Sequence, residues 1–222
     1  MAIDTIGTNA IANDAVTAAK IPAGAVDADI TAIPDGSVTT AKLAADAVTA
    51  AKIATNAVRD EMPAGSVIQT LQTVDGAVST YSTTETWTDM GSLSVTITPQ
   101  FANSKILVEY SVHNSTSDAT VTHRITRNGT AIGRGDANGI RQRVTTRTGR
   151  IRGGDENHIS PPAHMQFLDS PATTSATTYK VQIRLQTGEG AITMNTSYNQ
   201  PNNSHTYGSV TMSHIRVSEI KQ

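Results

Sequence analysis

The chain has 222 residues, a formal net charge of −2 and no cysteine. That length fits one or two domains, and that charge gives no overall pull toward nucleic acid or anionic membrane. Without cysteine, disulfides, thiol catalysis and cysteine-zinc sites are excluded.

Only 4% of the residues are aromatic, while Thr, Ser, Asn and Gly are plentiful. This composition suits β-structure and cores shared between subunits. The start, Met1-Ala2-Ile3-Asp4-Thr5, has no basic segment and no long apolar run, so no secretory signal is expected. No stretch approaches the roughly 18 consecutive apolar residues of a membrane helix, so no membrane insertion is expected.

After a leading segment, 1–12, a repeat occupies residues 13–64. Val16-Thr17-Ala18-Ala19-Lys20-Ile21 recurs as Val38-Thr39-Thr40-Ala41-Lys42-Leu43 and as Val48-Thr49-Ala50-Ala51-Lys52-Ile53. Val26 and Val58 begin degenerate copies. The lead valines are ten apart with one two-residue insertion, and Asp14, Gly24, Gly36, Asp46 or Asn56 stands two residues before each. These are turn residues.

Aliphatic positions five apart make no helical stripe, because each step rotates the side chain by about 140°. On a strand an odd step changes face each time. Pro22, Gly24 and Pro34 also interrupt any long helix. A mixed unit fits: Thr17, Thr39 and Thr49 cap single helical turns, and Lys20, Lys42 and Lys52 sit at their C-terminal ends. One aliphatic in five residues cannot offset about 1–2 kcal/mol of backbone entropy per residue in a lone chain. A stalk of several chains can pool Val16, Ile21, Val26, Ile33, Val38, Leu43, Val48, Ile53 and Val58 on one axis. The alternative is a flexible Ala/Thr linker.

From residue 65 the pattern becomes that of strands. They are expected at Val67–Val74, Thr86–Ile97, Lys105–His113, Thr120–Arg127, Arg141–Ile151, Ala163–Phe167, Thr178–Gln186, Ala191–Ser197 and Ser209–Ile220. Asp75-Gly76, Gly153-Gly154 and Gly188-Glu189-Gly190 mark turns, and Asn128-Gly129 is a type I′ hairpin signal. So many short strands over 65–222 predict a mainly β unit, an antiparallel sandwich or jelly roll.

The segments Ser66-Val67-Ile68-Gln69-Thr70, Ser94-Val95-Thr96-Ile97-Thr98-Pro99 and Ser104-Lys105-Ile106-Leu107-Val108 resemble the C-terminal domains of marine and cyanobacterial phage fibre proteins. So do Gly133-Arg134-Gly135-Asp136-Ala137, Phe167-Leu168-Asp169-Ser170-Pro171-Ala172 and Thr178-Tyr179-Lys180-Val181. The Val-Thr-Ala-Ala-Lys-Ile repeats are similar to stalks joined to such domains. The resemblance covers nearly the whole chain. It implies a homotrimeric fibre on the surface of a virion's tail or capsid, made in a host cytoplasm. It transfers no catalytic residues.

Eight of the eleven arginines lie between Arg124 and Arg152. They can form a basic surface for acidic glycans or lipopolysaccharide phosphates, which guanidinium forks suit. Alternatively they pair with carboxylates such as Asp136, Asp155 and Glu156. Few aromatics interleave with them, so nucleic acid is not an expected partner. Arg134-Gly135-Asp136 matches the integrin-type tripeptide but reads as a tight glycine loop needing positive φ. Asp155, Glu156, His158 and His164 have metal-ligand chemistry but no recognised spacing, so no metal or other cofactor is expected.

No phosphate loop or nucleophile elbow appears, and the chain is too short for a grooved β-helix spike, so it is not expected to be an enzyme. The polar stretch from Tyr198 to Tyr207 combines stacking rings with amides that bond hydroxyls. Tyr198, Asn202, His205 and Tyr207 are therefore the first candidates for receptor contact, with Arg147 and Arg150 next.

The combined reading is a fibre held to tail or capsid proteins by residues 1–12, with a head that meets a host surface glycan or protein. The alternatives are a capsid-decorating or purely structural stalk protein, and a bacterial adhesin. Absence of a signal and of cysteines counts against the adhesin.

Overall fold

A computed structural model describes residues 38–39, 41, 43, 45, 47–53, 57–82, 85–116, 120–148, 162–185, 191–197 and 209–222. The chain divides into two compact units, 1–57 and 58–222.

In the first unit, the third repeat copy forms one turn of 3-10 helix, Ala50–Lys52. Thr49 immediately precedes it, and its carbonyl accepts from Lys52 N at 2.9 Å. Lys52 ends the turn, as the dipole argument requires, and its Nζ donates to Ala47 O at 2.7 Å. Val38, Leu43, Val48 and Ile53 are 55%, 44%, 58% and 41% exposed in the single chain. Val16, Ile21, Val26 and Ile33 lie outside the described residues.

The second unit opens with exposed Val58 in a short helical turn, Ala57–Asp60, followed by antiparallel strands. These are β1 (Val67–Asp75), β2 (Ser79–Tyr81), β3 (Thr88–Ile97), β4 (Lys105–Thr116), β5 (Val121–Arg127), β6 (Thr130–Ile132), β7 (Thr146–Thr148), β8 (Pro162–Asp169), β9 (Thr177–Leu185), β10 (Ile192–Met194) and β11 (Ser213–Ile220). Strict alternation drives the long ones. Ile106, Val108, Tyr110 and Val112 of β4 are buried, as are Tyr179, Val181, Ile183 and Leu185 of β9.

The strands form two sheets. The first runs β1-β11-β4-β8, and β10 then β2 continue beyond β11 along the same edge of β4. The second runs β3-β9-β5, with β6 and β7 sharing the far edge of β5. Taking β1, β3, β4, β5, β7, β8, β9 and β11 as the main strands, the orders β1-β11-β4-β8 and β3-β9-β5-β7 are those of a jelly roll. The expectation of a β-sandwich or jelly roll thus resolves to the jelly roll. Met90, Leu93, Ile215 and Val217 join the alternating residues of β4 and β9 in the core.

Antiparallel pairing fixes which ends meet. The strand ends flanking 76–87, 117–120, 149–161 and 186–212 all lie at one end, here the loop end. The opposite end carries residues 59–66 and 219–222. There Gly65 N donates to Lys221 O at 2.8 Å, Lys221 Nζ donates to Asp60 O, and Arg59 lies over Phe101. Two carboxylates hold that end, Glu219 fully buried and Asp169 partly so. Glu219 accepts from Gln100 N, Phe101 N and Gln69 Nε2. Asp169 of β8 accepts from Arg127 of β5 and from the Tyr179 hydroxyl of β9, joining the two sheets.

Two expectations need correcting. Arg141–Ile151 is not one strand: 141–145 is loop, only Thr146–Thr148 pairs, and 149–151 lies outside the described residues. The reason is the edge of β5. Asn128 and Gly129, at φ 48° and 83°, turn the chain tightly so that β6 takes positions 125–127. The chain then loops out through 133–145 and returns to pair at 121–123. Ala191–Ser197 shortens to Ile192–Met194, because Asn195 adopts φ 62° and ends the strand.

Candidate ligand-binding site

On β5, Val121, His123 and Ile125 point into the core, so Thr122 and Arg124 face outward. Thr122 is directly opposite Arg184 of β9 on one side and Arg147 of β7 on the other. The two arginines therefore stand on the same outer face as Thr122, about 10 Å apart at two strand spacings.

The loop 141–144 comes back beside them and closes a cleft of about 450 Å³ at the loop end. Arg141, Arg147 and Arg184 line it, with Thr120, Thr122 and Gln142 supplying neutral polar groups. Val144 and Leu185 give it a small apolar surface. Among the described residues, none of the three arginines forms an ion pair. The nearby carboxylate of β3, Asp89, is engaged by Lys180 at 2.7 Å and Gln182 at 2.7 Å, and Lys180 is the first cause holding its pKa down. Arg124 stacks over Trp87, 4.3 Å from the ring centre, and donates to Gln182. Burial, then repulsion from Arg134 and Arg184, lowers its pKa. The Nε–H of Arg184 is buried and has no acceptor among the described residues.

The scaffold behind the cleft is polar but fixed. His123 is fully buried, and its Nε2 lies 3.0 Å from Asn114 Oδ1. Burial pushes its pKa down to about 3, so it is neutral at pH 7. Asn195 ties the end of β1, the following loop and the start of β11: its amide donates to Asp75 O and Ala77 O, and its Oδ1 accepts from Ser213 Oγ at 2.6 Å. Burial raises the Asp75 pKa, but hydrogen bonds from Ser92 and Ala77 outweigh it and leave the pKa lowered.

Of the receptor candidates, Arg147 lies in this cleft. Tyr198, Asn202, His205, Tyr207 and Arg150 lie outside the described residues, as do Asp155, Glu156 and His158. The strand ends Thr148 and Pro162 belong to the loop end, and Thr196 and Val210 form an isolated bridge. Arg134-Gly135-Asp136 is exposed in the loop after β6, where Gly135 N donates to Val144 O. Positive φ is required at Gly133 (φ 55°) rather than at Gly135, and a Cβ at Gly133 would meet the Phe167 ring at 2.7 Å.

Of the arginines between Arg124 and Arg152, Arg127 pairs with Asp169 at 2.9 Å; among the described residues Asp136 forms no ion pair, and Asp155 and Glu156 lie outside them. Among the described residues, no group of three His, Asp or Glu side chains has metal-binding geometry. His164 of β8 and His214 of β11 both stand opposite Ser111 of β4 on the outer face of the first sheet, and His113 lies two residues further along β4 on the same face. Burial, then Arg216 and the other two histidines, lowers the His214 pKa. Arg184 is the residue that sequence reasoning missed. It sits in an ordinary alternating strand, and only the register with Thr122 brings it to Arg147.

No family model matches the chain, and no curated protein does. Solved structures give partial likenesses. One is the 2.6 Å structure of T=1 particles derived from infectious bursal virus, at 10% identity and TM-score 0.35, covering 71% of this chain and 37% of that one. Another is the VP2 subviral particle of infectious bursal disease virus, at 10% identity and TM-score 0.33, covering 69% and 38%. A third is the CBM22-1 xylan-binding domain of Xyn10C from Paenibacillus barcinonensis, at 12% identity and TM-score 0.25, covering 72% and 99%. This chain spans less than half the length of the viral chains. Likenesses this low carry no argument about what the chain does.

Proposed function

We propose that the chain is a homotrimeric phage fibre subunit, held to tail or capsid proteins by residues 1–12, whose jelly-roll head binds a host surface without cleaving it. The observation that supports this most is the arrangement of the head. Residues 59–66 enter the head at one end, while the arginine cleft and the strand ends Thr148 and Pro162 lie at the other. A head borne on a stalk needs this polarity. The fold alone does not choose a function, since jelly rolls serve many.

The trimer reading is supported by the exposed aliphatics at 38, 43, 48 and 53, which a single chain leaves in water. Three equivalent heads compensate for weak single contacts, because one attachment raises the effective concentration of the others.

The test uses the labelled full chain. Light scattering should give three chains per particle, and replacing Val38, Leu43, Val48 and Ile53 together by Ser should give monomers. The trimer should bind host cells and the monomer should bind far more weakly. A folded wild-type monomer defeats the trimer. A wild-type trimer with no affinity for host cells leaves a structural or decorating protein instead.

A further inference from the structure

Arg147 and Arg184 flank Thr122 on one sheet face, and Arg141 closes the cleft over them. Like charges converging on one cleft from strands on either side of β5 repel one another unless a counter-charge lies between them. Here no described carboxylate offsets them, because Asp89 is taken by Lys180 and Gln182. Arg184 also holds a buried N–H without an acceptor among the described residues, a condition that costs free energy until something fills it. Both observations ask for the same thing, an anion between the guanidinium groups.

The size and the remaining lining narrow the anion's carrier. A volume of about 450 Å³ is that of a small-ligand cleft rather than of a track for a polymer backbone. Thr120, Thr122 and Gln142 offer both donors and acceptors, which suits hydroxyl groups. Among the described residues no aromatic ring lines the cleft, so they offer a nucleobase nothing to stack on.

We infer that this cleft binds one acidic sugar residue of a host-surface polysaccharide, its sulfate, phosphate or carboxylate group held between Arg147 and Arg184 and its hydroxyls meeting Thr120, Thr122 and Gln142. The inference rests on the reading of the head as a host-binding domain. It adds the ligand's chemistry and places the contact on β5, β7 and β9. Arg141 is exposed, whereas Arg184 is half-buried and offers a planar fork suited to an oxyanion.

The experiment titrates the full chain calorimetrically with a sulfated disaccharide, the same disaccharide unsulfated, inorganic sulfate and a single-stranded oligonucleotide. Saturable binding of the sulfated disaccharide is expected, with the unsulfated sugar and free sulfate each at least about ten-fold weaker. Arg141→Gln and Arg147→Gln, both at exposed positions, should each weaken it about ten-fold with an unchanged melting temperature. Arg184→Gln should do the same, and Arg184→Lys should restore only part, because the ammonium lacks the fork.

Equal affinity for free sulfate and for the sulfated sugar overturns the sugar assignment. Tighter binding of the oligonucleotide overturns it in favour of nucleic acid. No saturable binding by the wild type, or full binding by the Arg141→Gln/Arg147→Gln double variant, overturns the cleft altogether. Cell binding by the labelled full chain separates the two readings. If cells are bound and the double variant binds them equally well, the cleft inference fails while the host-binding head stands. If cells are not bound at all, the head reading fails, whatever the titration gives.

Discussion

His123 makes the head acid-labile, and the size of the effect can be worked out. The folded chain holds its imidazole fully buried with a pKa pushed down to about 3, against 6.5 when unfolded. The unfolded chain therefore takes up a proton as pH falls through 6.5, while the folded chain does not. Stability fully present above about pH 6.5 is lost as pH falls toward 3. At 1.36 kcal/mol for each pH unit of difference, the loss is about 2 kcal/mol by pH 5 and nears about 5 kcal/mol below pH 3.

The perturbation is His123→Gln. Its amide can still donate to Asn114 Oδ1, but it cannot titrate. Urea unfolding of both proteins at pH 7.5, 6.5, 5.5 and 5.0, at one protein concentration, gives the assay. The concentration is fixed because association shifts apparent stability. Asp75, Asp89 and His214, whose pKa values are also lowered, are present in both proteins and cancel in the difference. The wild type should lose about 2 kcal/mol more than the variant between pH 7.5 and 5.0. Parallel pH profiles over that range would refute the reasoning, since they would mean that His123 is solvated in the folded head.

Three further outcomes are expected. Asp169→Ala leaves the buried Tyr179 hydroxyl and the partly exposed Arg127 without their acceptor, and should cost about 1–3 kcal/mol, read as a lower urea midpoint with unchanged slope. Burial raises the Tyr110 pKa to about 12, so stability held below pH 10 is lost as pH rises toward 12; Tyr110→Phe should flatten part of that alkaline limb in the same assay. Gly133→Ala combines a positive φ with a Cβ 2.7 Å from the Phe167 ring, and should lower stability by about 2–4 kcal/mol in thermal melts, whereas Gly135→Ala, with open space around it, should be nearly silent.

The sequence by itself determined the strands and most of their bounds. Alternation at Ile106, Val108, Tyr110 and Val112 is a local property with period two, and it survives any tertiary arrangement. The hairpin at Asn128-Gly129 was equally legible, because two adjacent residues must take positive φ and these two can. The repeat's threonine-turn-lysine unit appears where residues 49–52 are described, again because a helical turn is decided within a few residues.

Only the tertiary structure decided which strands are neighbours. β4 pairs with β11 about a hundred residues later, and nothing in either segment names the other. That pairing turned a list of strands into a jelly roll, sent the loops to one end, and shortened Arg141–Ile151 by giving part of the β5 edge to β6. It also assembled the cleft from residues 120–122, 141–147 and 184, and gathered His113, His164 and His214 on one face. Side chains that meet across a sheet are set by register between distant segments, and register depends on how the whole core packs. A basic stretch was visible in the sequence, but its convergence with Arg184 on a buried N–H unpartnered among the described residues was a property of the fold.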